Sequence, residues 1–351
     1  MSAPTGDMFT CSPRQATGYI MDILEAGLVP LVKGSPGIGK SSIFAQVAKR
    51  ANLKMIDHRL STSDPSDLSG LPKLTGDVAQ VVPFEEIFPL DTTPIPKGYN
   101  GWFIFLDEIN AARKETIAAA YKLILNRQTG QRDLHPNALL GAAGNLETDR
   151  AIVNQMGTAM QSRFITLVLQ VAFNDWLEDV ALKNDYDPRI VSFLMENKAF
   201  LMDFRPDHNE RTFCCPRTWE YMNHLIKGKT NLDGLLPMLT GTITSGVAVS
   251  FVQFVKVFDQ LTPLKEILAA PDLARLPQDT SSKWATVSSL INEVNDQTFE
   301  PISKYINRLT LDFKVLFFRA VMVKTKEKYR RHPAFIDAMV TLNRYLTEVV
   351  P

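Results

Sequence analysis

Residues 28–42 read LVPLVKGSPGIGKSS, and this run decides how the rest of the chain is read. A short apolar segment is followed by Gly34, four residues, then Gly39, Lys40 and Ser41, the spacing of a phosphate-binding loop. SSIFAQVAKRA resumes a helical pattern, so the loop lies between a predicted strand and a predicted helix. Glycines let backbone N–H groups turn inward around phosphates, and the helix N-terminus adds partial positive charge. Gly34, Ser35, Pro36, Gly37, Ile38, Gly39, Lys40, Ser41 and Ser42 are therefore the candidate nucleotide-binding residues. Lys40 is placed to reach the β- and γ-phosphates, and Ser41 to coordinate Mg²⁺.

Outward from the loop, LKMIDHRL, GWFIFLDE, NALLGAAGN and RFITLVLQ give four more strand candidates. ETIAAAYKLILNR is strongly helical, and Ser12-Pro13-Arg14-Gln15 has the form of a capping box opening a helix to about Glu25. Strands alternating with helices imply a mostly parallel α/β sheet covered on both faces. From Phe173 the strand signals fade. NDWLEDVAL, PRIVSFLMENKAFLMDF, PRTWEYMNHLI and stretches near 241–258 and 301–350 read as helices, with APDLARLPQDTSSK as a loop or linker between them. The expected layout is an α/β domain over 1–172, a helical lid over 173–262 and a helical extension over 263–351.

Composition narrows the class. The 351 residues are 45% hydrophobic and 22% charged, an ordinary globular balance. Thirty-eight basic and thirty-eight acidic side chains cancel, so there is no global pull toward nucleic acid or anionic membrane. Cys11, Cys214 and Cys215 have no metal-binding spacing, and so few cysteines suit a reducing cytoplasm. The beginning MSAPTGDMFT lacks the basic and apolar regions of a signal peptide. GVAVSFVQFVKVF is too short for a membrane span, carries Gln253 and Lys256, and reads as a buried helix. The five histidines show no paired spacing with acids or cysteines, so no metal beyond Mg²⁺ is expected.

FIFLDEIN supplies the second half of a site. Residues 103–106 bury a strand and Asp107 emerges at its carboxyl edge, where open α/β sheets place ligands. Asp107 is placed to hold Mg²⁺ through its water shell, and Glu108 to polarise a water attacking the γ-phosphate. That acidic pair separates ATP-hydrolysing machines from kinases. LLGAAGN ends the fourth strand with Asn145, whose amide is placed to hydrogen-bond the γ-phosphate or the attacking water.

This order of cradle, Asp-Glu, strand-end Asn, then SRF and PRTW resembles an AAA+ ATPase of the MoxR group. The similarity extends through HRLSTSDPSDLSGLP, GNLETDRAIVNQMGTAMQSRF and DWLEDVAL and covers roughly residues 12–225. PLKEILAAPDLARLP is similar to a subgroup found in bacteria and their phages. The resemblance implies a five-stranded parallel sheet in the order 5-1-4-3-2, a helical lid, and a ring, commonly hexameric, with sites between subunits. Asn145 then matches sensor 1, Arg163 in QSRF the arginine finger, and Arg217 in CCPRTW the sensor-2 arginine. Arg150 in ETDRAIV competes as finger, because related restriction-type GTPases carry an Asp-Arg pair there; the same similarity keeps GTP as an alternative to ATP.

The resemblance also implies a function: ATP hydrolysis coupled to remodelling or activating a protein partner, often one bearing a von Willebrand factor A domain. The rivals are a nucleic-acid-dependent motor or restriction-type NTPase, and a scaffold whose turnover only times disassembly. LTGDVAQVV reads as a small hairpin matching an insert that in this branch faces the ring pore or a partner. RQTGQRDLHPN is a second hairpin candidate, whose Arg127, Arg132 and His135 either touch substrate or are solvated. KTKEKYRRH (324–332), read as helical, is the best basic patch for a phosphate backbone, with a solvated helix face as the alternative.

Overall fold

The computed structural model describes residues 9–84, 87–149, 154 and 156–347. Contacts divide the chain into two units, Met1–Ala172 with Arg205–His208, and Phe173–Phe204 with Asn209–Pro351.

The first unit opens with β1 (Thr10–Cys11) and α1 (Pro13–Glu25). The Ser12 N–H donates to the Gln15 side chain at 2.9 Å and the Gln15 N–H to the Ser12 hydroxyl at 3.3 Å, so the capping box forms. Ala16, Thr17, Ile20 and Leu24 then share the buried face of α1. There follow β2 (Val29–Lys33), α2 (Lys40–Arg50), β3 (Lys54–Arg59), α3 (Pro65–Ser69), β4 (Leu71–Thr75) and β5 (Val78–Val82). After these come β6 (Trp102–Asp107), α4 (Lys114–Asn126), β7 (Gln128–Thr129), β8 (Arg132–Asp133), β9 (Ala138–Gly144), α5 (Thr158–Gln161) and β10 (Phe164–Leu169).

The main sheet runs β1-β10-β2-β9-β6-β3, and every pairing in it is parallel. Its five longer strands keep the expected order 5-1-4-3-2. The sixth, β1, corrects the five-strand expectation: Thr10 and Cys11 pair with Val168 and Leu169 at the edge. Two residues are too few to show a strand periodicity in the sequence. All six residues of β6 are buried, as a central parallel strand demands. At Gly141 the backbone of β9 passes so close to neighbouring rings that a β-carbon would stand 2.6 Å from Phe103 and 2.8 Å from Phe44.

Both expected hairpins form. β4 and β5 pair antiparallel from Leu71–Val82 to Thr75–Val78, and every residue of β4 is exposed. In the β7–β8 hairpin, Arg132 pairs with Asp91 at 2.6 Å. Arg127 donates to the carbonyls of Ala138 and, at 3.5 Å, His135, while His135 packs on Trp102. Arg127 and His135 are thus engaged within the unit.

In the second unit, Phe193, Trp219 and Phe251 meet as mutual ring contacts between the helices Pro188–Glu196, Pro216–Ile226 and Ser245–Val255. The Ser192 hydroxyl on the first of these donates to the Trp284 carbonyl at 3.4 Å, on the helix Thr280–Asn292. That helix begins inside the expected 270–283 loop, because Asp279 caps it through the Ser282 N–H at 2.8 Å. The helix Ser245–Val255 is buried on one face only, at Val247, Ala248 and Phe251, with Val249 exposed. Residues 325–332 depart from the helical expectation: the helix Leu311–Lys324 ends, and Lys326 and Glu327 take positive φ. Lys324 pairs with Asp185, Lys328 with Asp296 and Arg330 with Glu327, so three of that run's five Lys and Arg side chains are matched by acids. Among the described residues, no helix is long and apolar enough to cross a membrane.

Candidate functional site

The cradle forms at the carboxyl end of β2, where Gly39 takes φ 93°, a left-handed conformation that glycine adopts without cost. No side chain caps α2, so its first N–H groups stay available to an anion. Gly34 is closely packed instead. A β-carbon there would meet the end of Ile38 at 2.4 Å and the Leu169 carbonyl oxygen at 3.2 Å.

Parallel pairing brings the other expected residues to the same edge. Lys40 Nζ donates to the carbonyls of Gly34 at 2.6 Å and Ser35 at 3.0 Å, and to Asn145 Oδ1 at 3.1 Å. Ser41 Oγ donates to Asp107 Oδ2 at 3.1 Å. Two hard oxygen donors side by side suit Mg²⁺, which takes few protein ligands and keeps water. Among the described residues, no cluster of three His, Cys, Asp or Glu side chains could hold another metal.

Glu108 sits at φ 55°, outside the helical and extended regions, a placement that costs about 1–3 kcal/mol in a non-glycine residue. Its N–H donates to Asp107 Oδ1 at 2.9 Å, and its carboxylate accepts from the Ser61 hydroxyl. Arg59, opposite Asp107 in the β3–β6 register, has Nε 3.7 Å from Glu108 Oε1 and Nη2 3.9 Å from Asp107 Oδ2. Burial first, then the Asp107 charge, pushes the neighbouring Asp57 carboxyl up, against Arg59 and His58.

Sequence reading missed Arg59, Ser61, Asn110 and Asp149. Arg59 is the last residue of β3, where the register sets it opposite Asp107, and Ser61 lies in the turn that follows. Asp149 is buried with Oδ2 lacking a hydrogen-bond partner, and burial pushes its carboxyl up, against the Ser35 hydroxyl and the Lys40 charge. It is the aspartate of the Asp-Arg pair in ETDRAIV, where sequence reading singles out only the arginine.

Arg163 is exposed and immediately precedes β10. Because Phe164 pairs with Val29 and Val168 with Lys33, Arg163 lies at the end of the sheet opposite the cradle. Arg217 is exposed in the first turn of Pro216–Ile226, in the second unit. Arg150 lies outside the described residues.

No known family's sequence profile matches the chain. No curated protein matches it either. Solved structures similar to it include a point variant of RuvB from Thermotoga maritima, at 14% identity over 74% of each chain and a TM-score of 0.37. NtrX from Brucella abortus is similar at 15% identity over 97% of this chain and 69% of that one, TM-score 0.37. The same NtrX in complex with ADP gives 14% identity over 95% and 68%, TM-score 0.37. With TM-scores below 0.5 these superpositions are loose, and the architecture rests on the chain's own sheet order.

Proposed function

We propose that this chain is an AAA+ ATPase of the MoxR type, which binds ATP with Mg²⁺ and hydrolyses it in a ring to remodel or activate a protein partner. The observation that carries the reading is the convergence of Lys40, Ser41, Asp107 and Asn145 within hydrogen-bond distance at the carboxyl edge of a parallel sheet. Four side chains drawn from three strand ends meet where a triphosphate would sit on an uncapped helix N-terminus.

The chemistry follows from these groups. Lys40 exchanges the carbonyls of Gly34 and Ser35 for the β- and γ-phosphates, and Asn145 turns its amide to the γ-phosphate. Ser41 and Asp107 would hold Mg²⁺, which when bound neutralises charge on the β- and γ-phosphates. Glu108, freed from Ser61, orients the attacking water and takes its proton. Arg163 stands too far from its own cradle to serve it, which supports a role on the γ-phosphate of a second copy. Arg217 would report the nucleotide state from the helical unit. The ring is taken to be hexameric, as in the group the sequence resembles.

The β4–β5 hairpin is the candidate partner contact, since Leu74 is 78% and Val78 60% exposed near its tip. A protein with a von Willebrand factor A domain is the partner the resemblance favours. The paired cations of 324–332 give no support to a nucleic-acid motor.

Glu108→Gln tests the reading. Nucleotide binding should persist while turnover falls on the order of 10²–10⁴-fold. ATP-held Glu108→Gln chain, captured from its native cells, should retain one stoichiometric protein. Unchanged turnover would refute the hydrolytic assignment, and nuclease-sensitive DNA or RNA as the dominant companion would replace the remodeller with a motor.

A further inference from the structure

The β6–β9 ladder ends at the pair Leu106–Ala142, before either strand reaches its functional residues. Beyond that point the two strand ends have no continuous register to hold them together, yet both carry groups of the site. Asn110 fills this gap. It is 1% exposed, its Nδ2 donates to the Asn145 carbonyl at 2.7 Å, and its Oδ1 accepts from the Asn145 N–H at 3.0 Å. One side-chain amide thus satisfies both backbone groups of Asn145, as a neighbouring strand would.

The surroundings are built to keep that amide in place. The Asn110 carbonyl accepts from the Asn154 N–H at 2.6 Å, and the Ile109 N–H donates to the Ala143 carbonyl at 3.0 Å. A β-carbon on Gly144 would stand 2.6 Å from Asn110 Oδ1 and 2.9 Å from its Cγ, so position 144 leaves room only for glycine. An aspartate at 110 would set a second acceptor against the Asn145 carbonyl, and a glutamine would be one methylene too long. Past the bridge, the Asn145 side chain accepts from Lys40 at 3.1 Å.

We propose that Asn110 is a positioning residue that fixes Asn145 relative to the end of β6, where Asp107 and Glu108 stand, so that γ-phosphate contact and hydrolytic acids keep one geometry. This rests on reading Asn145 as a γ-phosphate contact. Asn110 touches no substrate and acts through the backbone of Asn145.

A double-mutant cycle with Asn110→Ala and Gly144→Ala tests it, read by steady-state ATP turnover and by equilibrium ATP binding. Misplacing a catalytic group by about 1 Å costs on the order of 100-fold in rate, so Asn110→Ala should lose about that in kcat while its ATP affinity stays within about threefold. Gly144→Ala, which pushes the amide aside, should show the same loss. In the Asn110→Ala background the added Gly144→Ala change should have almost no further effect, because the group it strikes is gone. Should Asn110→Ala fail to fold, Gly144→Ala with native Asn110 reads the same displacement in a different way.

Unchanged kcat in Asn110→Ala, equal losses in binding and turnover, or two losses that simply multiply would each overturn the proposal. A wild-type chain that binds no nucleotide would sink the hydrolase reading and this proposal with it. A wild-type chain that hydrolyses ATP with an indifferent Asn110 would sink this proposal alone.

Discussion

If Arg163 acts on a neighbouring copy, a dead cradle and a dead finger on different chains should rescue each other. β10 spans six residues, Phe164–Leu169, and runs parallel to β2, which delivers the cradle at its far end. Arg163 is level with Leu28 and the cradle begins at Gly34, so at about 3.3 Å per residue the separation along the strands is roughly 20 Å, beyond the reach of an arginine side chain. Arg163→Ala alone should therefore bind ATP normally and lose about 10³–10⁵ in turnover. Lys40→Ala should lose turnover through failed phosphate binding. In an equimolar mixture reassembled together, about one interface in four pairs an intact cradle with an intact finger, and turnover should recover to about that fraction. The assay is ATP hydrolysis against mixing ratio, with assembly followed by light scattering. Mixed assemblies that form but recover nothing would refute the trans arrangement. Full turnover in Arg163→Ala alone would pass the role to Arg150.

Two further outcomes follow from the first unit. Burial pushes the His58 imidazole below its usual value, with Asp67 and Asp57 opposing, while Ser63 bonds its Nε2 at 3.0 Å. A folded value below the unfolded one means the contribution is complete above about pH 6.5 and is lost as the pH falls through the folded value. Thermal melts should decline on acidification over that window, and His58→Gln should flatten the decline; an equal decline in the variant would dismiss His58 as its source. Gly141→Ala drives a methyl into Phe103 and Phe44 and should cost about 1–3 kcal/mol in denaturant unfolding, where no loss would show that the rings yield.

Local chemistry makes much of this protein legible in its sequence. The cradle's glycines, the buried run ending in Asp107, the Ser12 capping box and both hairpins depend on neighbours within a few residues, and each formed where expected. KTKEKYRRH misled because composition alone looked helical, whereas the backbone turns at Lys326 and Glu327. The helix Ser245–Val255 misled in the opposite sense: its apolar residues exceed what one packed face can bury, so Val249 stays in water.

The sequence by itself determined the shape of the loop, because a glycine-rich turn between a strand and a helix needs particular residue types at fixed short spacing. Only the tertiary structure decided which other groups share it. Arg59 meets Asp107 and Glu108, and Asn110 meets Asn145, through the lateral order of parallel strands joined by long crossovers. Sheet order and register are set by burial summed over the whole unit, and no local pattern carries that information.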